Sequence, residues 1–261
     1  MSIELTKPPR NLAVVIMAAG KGTRMKNPDM AKVMYEINGK PMLGYVIELA
    51  MKIQAEKTLV IVGWQKQSVA EFVSQSYPGV EIVEQEQQLG TGHAMMQTMA
   101  SLKEFEGDLL ILSGDVPLLM DKTAKALIGY HRLTEATATI LTAELKDPGG
   151  YGRIVRNQDG SAQRIVEHQD ATKKELAIRE INSGIYVFEK QKLFESLIHI
   201  EPNNAQGEYY LTDVFGFYSS SKWKVSAVKV LDPAEIMGIN DLAQLEKAQA
   251  VMAARALPGG V

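Results

Sequence analysis

Polar and apolar positions follow two rhythms along this chain. Short apolar runs at residues 12–17, 58–62, 80–83 and 109–112 read as strands, the last apolar throughout, as expected of a strand covered on both faces. Between them lie stretches of helical spacing. Met42, Val46, Leu49, Ala50 and Ile53 recur along 42–54, and residues 66–77, 91–105 and 121–134 also read as helices. A short strand is expected at 33–37, followed by a turn at Asn38-Gly39-Lys40-Pro41. After a strand at 136–144 the pattern becomes β-rich, with strands at 153–156, 164–168 and 181–188. Helices at 191–200 and 210–218, a strand at 224–230 and a closing helix at 241–255 complete the chain.

Strands alternating with helices predict a mostly parallel sheet with right-handed crossovers. The expected class is α/β: a Rossmann-like three-layer α/β/α domain with a mixed, mostly parallel sheet and a β-rich lobe over its ligand edge. The expected organisation is one domain over 1–261, comprising 1–145, a lobe at 146–225 and a closing strand and helix at 226–261. Residues 1–11 read as a loose arm and Pro258-Gly259-Gly260 as a frayed tail. In such sheets ligands sit beyond the carboxyl ends of the strands. Met17, Glu84 and Ser113 mark such ends, which brings residues 20–32, 85–92 and Asp115 to one edge.

Composition narrows the choice of function. Of 261 residues 46% are hydrophobic and 23% charged, ordinary for a soluble globule, and the net charge of −3 argues against a nucleic-acid surface. The absence of cysteine removes disulfides, thiolate metal sites and a cysteine nucleophile, and agrees with a reducing cytoplasm. Four scattered histidines show no metal-ligand spacing. Lys7 and Arg10 before the first apolar run could mimic a secretory signal, but that run ends directly in Lys21, Arg24 and Lys26, so a first strand fits better. No run approaches membrane-spanning length.

The first strand breaks into Ala18-Ala19-Gly20-Lys21-Gly22-Thr23-Arg24. Small residues let backbone approach a ligand, Gly20 and Gly22 permit positive φ, and successive N–H groups make an anion nest to which Arg24 and Lys32 add charge. The Walker spacing fails because Val15 stands where its first glycine belongs. The dinucleotide fingerprint fails at Met25. The remaining readings are a phosphate-wrapping loop and an ordinary strand-to-helix turn.

Further motifs follow in order: Leu-Gly-Thr-Gly-His-Ala at 89–94, Ser-Gly-Asp-Val-Pro-Leu at 113–118, Gly-Tyr-Gly-Arg-Ile at 150–154, Glu-Ile-Asn-Ser-Gly-Ile at 180–185 and Asn-Asn-Ala-Gln-Gly-Glu-Tyr-Tyr-Leu-Thr-Asp at 203–213. Together they resemble the uridylyltransferase domain of the bacterial N-acetylglucosamine-1-phosphate uridylyltransferases, among the nucleotide-diphospho-sugar pyrophosphorylases. The resemblance implies magnesium-assisted synthesis of UDP-N-acetylglucosamine and pyrophosphate from UTP and N-acetylglucosamine 1-phosphate. Such a reaction needs no protein base, only two anions held in line and their charge neutralised. Alternatives are a glucose 1-phosphate or other sugar-nucleotide pyrophosphorylase, and a non-catalytic binding module.

The resemblance also implies roles. Arg24 and Lys32 would be catalytic. Ala18, Ala19, Gly20, Gly22 and Thr23 would hold the triphosphate, and Gln85, Gln88, Gly90 and Thr91 the base. Gly152, Glu167 and Asn182 would contact the sugar. Asp115 and Asn240 would bind magnesium, although each could instead be a turn or helix cap. Three departures stand out: an extra residue with Ala31 before Lys32, Ser113 in place of the usual tyrosine, and Gly149 in place of the usual threonine. No hexapeptide repeats follow Val251, so no acetyltransferase activity is expected of this chain, whether it is a stand-alone enzyme or a piece of a longer one.

Overall fold

The protein is described from a computed structural model covering residues 10–25, 27 and 29–256. The expected tail and all but the last two residues of the expected N-terminal arm lie outside these. The first strand, β1 (Leu12–Ala18), leads through the glycine loop and two 3-10 turns, Thr23–Met25 and Lys32–Met34, to a small hairpin of β2 (Glu36–Ile37) and β3 (Lys40–Pro41). Then come α1 (Met42–Lys52), β4 (Lys57–Val62), α2 (Lys66–Ser76), β5 (Glu81–Glu84), α3 (Thr91–Met96), β6 (Asp108–Ser113), α4 (Asp121–Thr134) and β7 (Ala138–Glu144). The β-rich part holds β8 (Arg153–Arg156), β9 (Ala162–Val166), α5 (Lys173–Leu176) and β10 (Glu180–Glu189). The chain closes with α6 (Lys190–Leu197), a 3-10 turn at Leu211–Asp213, α7 (Val214–Ser220), β11 (Val225–Lys229), a 3-10 turn at Pro233–Ile236 and α8 (Leu242–Ala256).

The sheet order is β11-β7-β10-β6-β1-β4-β5. Strands β6, β1, β4 and β5 are mutually parallel. Strand β10 runs antiparallel to both of its neighbours, β6 and β7, and β11 is parallel to β7. The class is therefore the α/β expected: a mixed, mostly parallel sheet between helices. Alternation along β1 supplies both faces. Val14, Ile16 and Ala18 join one core with α1, α2 and α4, while Ala13 and Val15 join a second core with Met95 of α3, Leu193 of α6 and Phe215 of α7. Burial on both faces is why β1 and β6 read as continuous apolar runs.

Three features position the ligand edge. Met17 pairs with Ser113 and Ala18 with Val62, so β1, β4 and β6 end together. The hairpin β8–β9 joins the sheet through the pair Ile181↔Arg153 on β10. The β10–β7 register slips between Asn182 and Tyr186, where Gly184 takes φ +77°. Such irregularities re-aim side chains at functional sites.

Several elements differ from expectation: α5 has no counterpart among the expected elements, Lys40–Pro41 is a strand where a turn is expected, and the helix expected at 210–218 opens as the 3-10 turn Leu211–Asp213. Helix α3 stops at Met96, not at 105. Thr98 Oγ1 donates to Met95 O at 2.7 Å while Thr98 N also bonds Met95 O at 3.0 Å, and this local competition tightens the chain into turns. The strand expected at 33–37 is a 3-10 turn followed by the two residues of β2.

Candidate active site

A cavity of about 490 Å³ opens at the carboxyl end of β1. Ala18, Ala19, Gly20, Gly22, Lys32, Gln85, Gln88, Gly90, Thr91 and Asp115 all line it. Arg24 does not: it lies exposed in the 3-10 turn Thr23–Met25, close enough to Tyr151 for its charge to lower that phenol's pKa. The Thr23 side chain lies outside the described residues.

The glycine loop is shaped by one left-handed residue rather than two. Gly22 has φ +60°, and a Cβ there would lie 2.5 Å from Lys32 Cβ. Gly20 is not left-handed, and a Cβ on it would meet nothing within 4 Å. Gly22 therefore lets the loop close onto the Lys32 stem, and Gly20 leaves open space above the loop.

Lys32, Asp115 and Asn240 converge. The Lys32 ammonium bonds Asp115 Oδ2 and, at 2.9 Å, Asn240 Oδ1. Ile239 N donates to Asp115 O at 2.9 Å, which docks the 238–240 segment beside the end of β6. Asn240 does not cap α8. Asp241 takes that role, its Oδ1 accepting from Gln244 N at 2.8 Å, while Gln244 Oε1 accepts from Asn240 N at 2.7 Å. The Asn240 amide is thereby left to face the site.

The 89–94 and 203–213 motifs are two halves of one wall. Gly92 N donates to Tyr209 O at 2.7 Å, Tyr209 N to Leu89 O at 2.8 Å, and Leu211 N to Thr91 Oγ1 at 2.9 Å. Gly90 has φ +108°, and a Cβ there would lie 2.6 Å from Tyr209 O, so the two backbones meet only because this position is glycine. The Thr91 hydroxyl is engaged in this wall. Gln85 is 3% exposed and donates through Nε2 to Gly90 O at 3.0 Å. Gln88 Nε2 donates to Gln85 O at 3.3 Å.

A second cavity of about 250 Å³ adjoins the first, sharing Met17, Thr91 and Ser113. Gly152, Glu167 and Asn182 all line it. Asn182 is fixed at the slip in β10: its N donates to Gly152 O at 2.9 Å, its Nδ2 to Tyr186 Oη at 2.6 Å, and its Oδ1 accepts from Gly184 N at 3.1 Å. Glu167 Oε1 accepts from Thr212 Oγ1 at 2.9 Å. Burial raises the Glu167 pKa, against the lowering effect of Thr212, and Asp170 raises it further. A Cβ on Gly152 would lie 3.2 Å from Glu167 Oε2, so glycine keeps that carboxylate accessible.

Sequence reasoning assigned no role to Tyr151, Tyr186, Thr212 or Glu208. Tyr151 lines the second cavity, and burial raises its pKa, with a backbone bond from Gly238 and the nearby Asp115 charge also acting on it. Glu208 lines the first cavity. Tyr151, Thr212 and Glu208 all sit inside motifs already singled out, so the signal was present. Which motif residue faces the cavity was not. Among the described residues no group of three His, Cys, Asp or Glu could hold a metal ion, and no helix is long and apolar enough to cross a membrane.

Comparison with known proteins shows the family. Residues 13–230 match the nucleotidyl transferase family. The chain is 44% identical over 245 residues to the bifunctional protein GlmU of Brevibacillus brevis, covering 94% of this chain and 52% of that protein. It is 45% identical over 241 residues to the bifunctional protein GlmU of Streptococcus mutans, covering 92% and 52%. The chain thus spans about half the length of the curated relatives it matches. A crystal structure of UDP-glucose pyrophosphorylase complexed with UDP-glucose superposes with a TM-score of 0.74 over 93% of this chain and 98% of that one, at 18% identity, a likeness of fold alone. With its α/β fold, its glycine loop and its two adjoining cavities, the chain belongs to the nucleotidyl transferase family, and its motifs resemble the uridylyltransferase domain of GlmU-type proteins.

Proposed function

We propose that this chain joins UTP to N-acetylglucosamine 1-phosphate, giving UDP-N-acetylglucosamine and pyrophosphate. The observation that carries the reading is the pair of cavities meeting at Met17, Thr91 and Ser113, one floored by the glycine loop and one lined by Glu167 and Asn182. A phosphate oxygen of the sugar 1-phosphate attacks the α-phosphorus of the nucleotide. The bond from that phosphorus to the bridging oxygen breaks, and pyrophosphate leaves with the electron pair. Backbone N–H groups of residues 18–22 cradle the triphosphate, and Arg24 closes on it from the rim. Glu167 and Asn182 accept from and donate to sugar hydroxyls. A sugar that left these part-buried groups unpaired would be penalised.

Asp115 and Asn240 are the candidate magnesium ligands. Their oxygens suit the ion, because both already converge on one cation, the Lys32 ammonium. Magnesium is often held by one or two protein oxygens, with substrate phosphates and waters completing the octahedron. When bound, such an ion supplies charge neutralisation at the phosphates. Lys32, at the same point, would contribute its charge to the leaving pyrophosphate.

A second reading takes glucose 1-phosphate as the acceptor. It draws on Ser113, which lines both cavities where a tyrosine is usual, and on the fold shared with UDP-glucose pyrophosphorylase. Magnesium-dependent pyrophosphate release, measured over UTP, CTP, ATP and GTP against both sugar phosphates, tests the proposal. Fastest release with UTP and N-acetylglucosamine 1-phosphate is the expected result. Fastest release with glucose 1-phosphate selects the second reading, and no release with any pair removes both.

A further inference from the structure

His93 lies in the first turn of α3 and does not line the nucleotide cavity, yet its ring touches the glutamine that does. Gln85 Nε2 is 3.0 Å from Gly90 O and 3.1 Å from His93 Nδ1. A carbonyl oxygen can only accept, so the Gln85 atom facing Gly90 must be the NH2 group. That same nitrogen faces Nδ1, which must therefore be an acceptor, with the ring proton on Nε2. On the other side of the ring Gln97 Nε2 lies 3.2 Å from His93 Nε2 and donates to His93 O at 3.0 Å. Two amide NH2 groups thus compete for one acceptor. Turning the Gln97 amide over to accept from Nε2–H gives up its bond to His93 O, a loss that solvent can make good because Gln97 is only half-buried. Gln85, 3% exposed, is held from both sides.

Both Gln85 amide hydrogens are then committed to protein acceptors. Oε1, which has no hydrogen-bond partner among the described residues, is what this side chain offers the cavity. An oxygen acceptor complements the N3–H of uracil. Cytosine presents a lone pair at N3, so it meets repulsion unless the amide turns over.

We infer that His93 is a positioning residue for base selection, holding the Gln85 amide in the orientation that accepts from uracil N3–H and rejects cytosine. This deepens the uridylyltransferase reading and rests on it. Because Gly90 O still holds one amide hydrogen, loss of the histidine relaxes the choice without abolishing it. A net hydrogen bond is worth about 1 kcal/mol, so the preference for UTP over CTP should fall roughly five- to tenfold.

The test is the ratio of kcat/KM for UTP to that for CTP in the wild type, His93→Phe, His93→Leu and His93→Asn. Phenylalanine keeps the ring but has no acceptor. Asparagine can present Oδ1 where Nδ1 stood. The expected result is a reduced ratio in His93→Phe and His93→Leu, with the ratio rescued in His93→Asn. If turnover of a variant is too low to measure, the ratio of UTP to CTP dissociation constants reads the base choice at the binding step, with circular dichroism checking the fold. A selective wild type with His93→Phe and His93→Leu equally selective overturns the role of His93. A wild type that uses UTP and CTP alike overturns the uridine reading itself.

Discussion

Lys32 and Asn240 stand 208 positions apart in the chain and share a hydrogen bond of 2.9 Å between Nζ and Oδ1. The Asp115 carboxylate meets the same ammonium. One point at the sheet edge is thus approached by two oxygens and one cation drawn from three separate segments.

The roles of Asn240 and its neighbour should separate cleanly. Asn240→Ala should leave the melting temperature nearly unchanged and lower magnesium-dependent pyrophosphate release by about a hundredfold, the scale of losing one group that stabilises developing charge. Asp241→Ala should do the reverse, costing about 1 kcal/mol of stability through the lost cap while turnover holds. Asp115→Ala should resemble Asn240→Ala. Near-wild-type turnover in both Asp115→Ala and Asn240→Ala at saturating magnesium would remove the metal assignment.

The glycine loop offers a paired test. Gly22→Ala forces an alanine into φ +60° and pushes a methyl to 2.5 Å from Lys32 Cβ. It should cost about 1–2 kcal/mol of stability and displace Lys32, so that turnover falls. Gly20→Ala meets no protein atom within 4 Å and should fold normally. A raised KM for UTP in Gly20→Ala reports phosphate in that space, and an unchanged KM argues that no ligand approaches there.

Thr212→Val removes the hydroxyl that bonds Glu167 Oε1. Burial already raises the Glu167 pKa and the Thr212 bond lowers it, so its loss should raise the pKa further. Protonation then begins at higher pH. The acid limb of kcat/KM for the sugar 1-phosphate should move upward in pH, while KM for UTP stays the same. A pH profile that does not move would show that the Glu167 charge is not used for the sugar.

Glu175 gives a stability test away from the chemistry. It forms a capping box with Thr172 at the start of α5 and an ion pair with Arg164, and these hold its carboxyl down at about 2 against an ordinary 4.5, the Thr172 hydroxyl contributing most. A folded-state pKa below the unfolded one stabilises the fold above the unfolded value and loses that effect as pH falls through the folded value. Glu175→Gln should therefore melt below the wild type at pH 7. The gap should close as pH drops from about 4.5 towards 2. A gap that is constant over this range would show that charge plays no part.

Much of the fold was legible because it depends on local spacing. The period of Met42, Val46, Leu49 and Ala50 marks the buried side of α1, and the unbroken apolar run at 109–112 marks a strand covered on both faces. The glycines of the motifs were legible as places needing small residues, but what a side chain would meet at Gly22, Gly90 and Gly152 is supplied by Lys32, Tyr209 and Glu167, which only the fold brings there. Tertiary structure alone decided the rest. Strand β10 inserts antiparallel between β6 and β7, a pairing between segments whose separation in sequence carries no periodic trace. Thr98 ended α3 early through one side-chain bond. Asn240 and Asp241 are adjacent and equally suited to cap a helix by composition. The hydrogen bond to Lys32, 208 positions away, turns one towards the site, while the Gln244 amide takes the other. Sequence sets what each polar side chain can bond, and only the folded neighbourhood fixes which partner it meets.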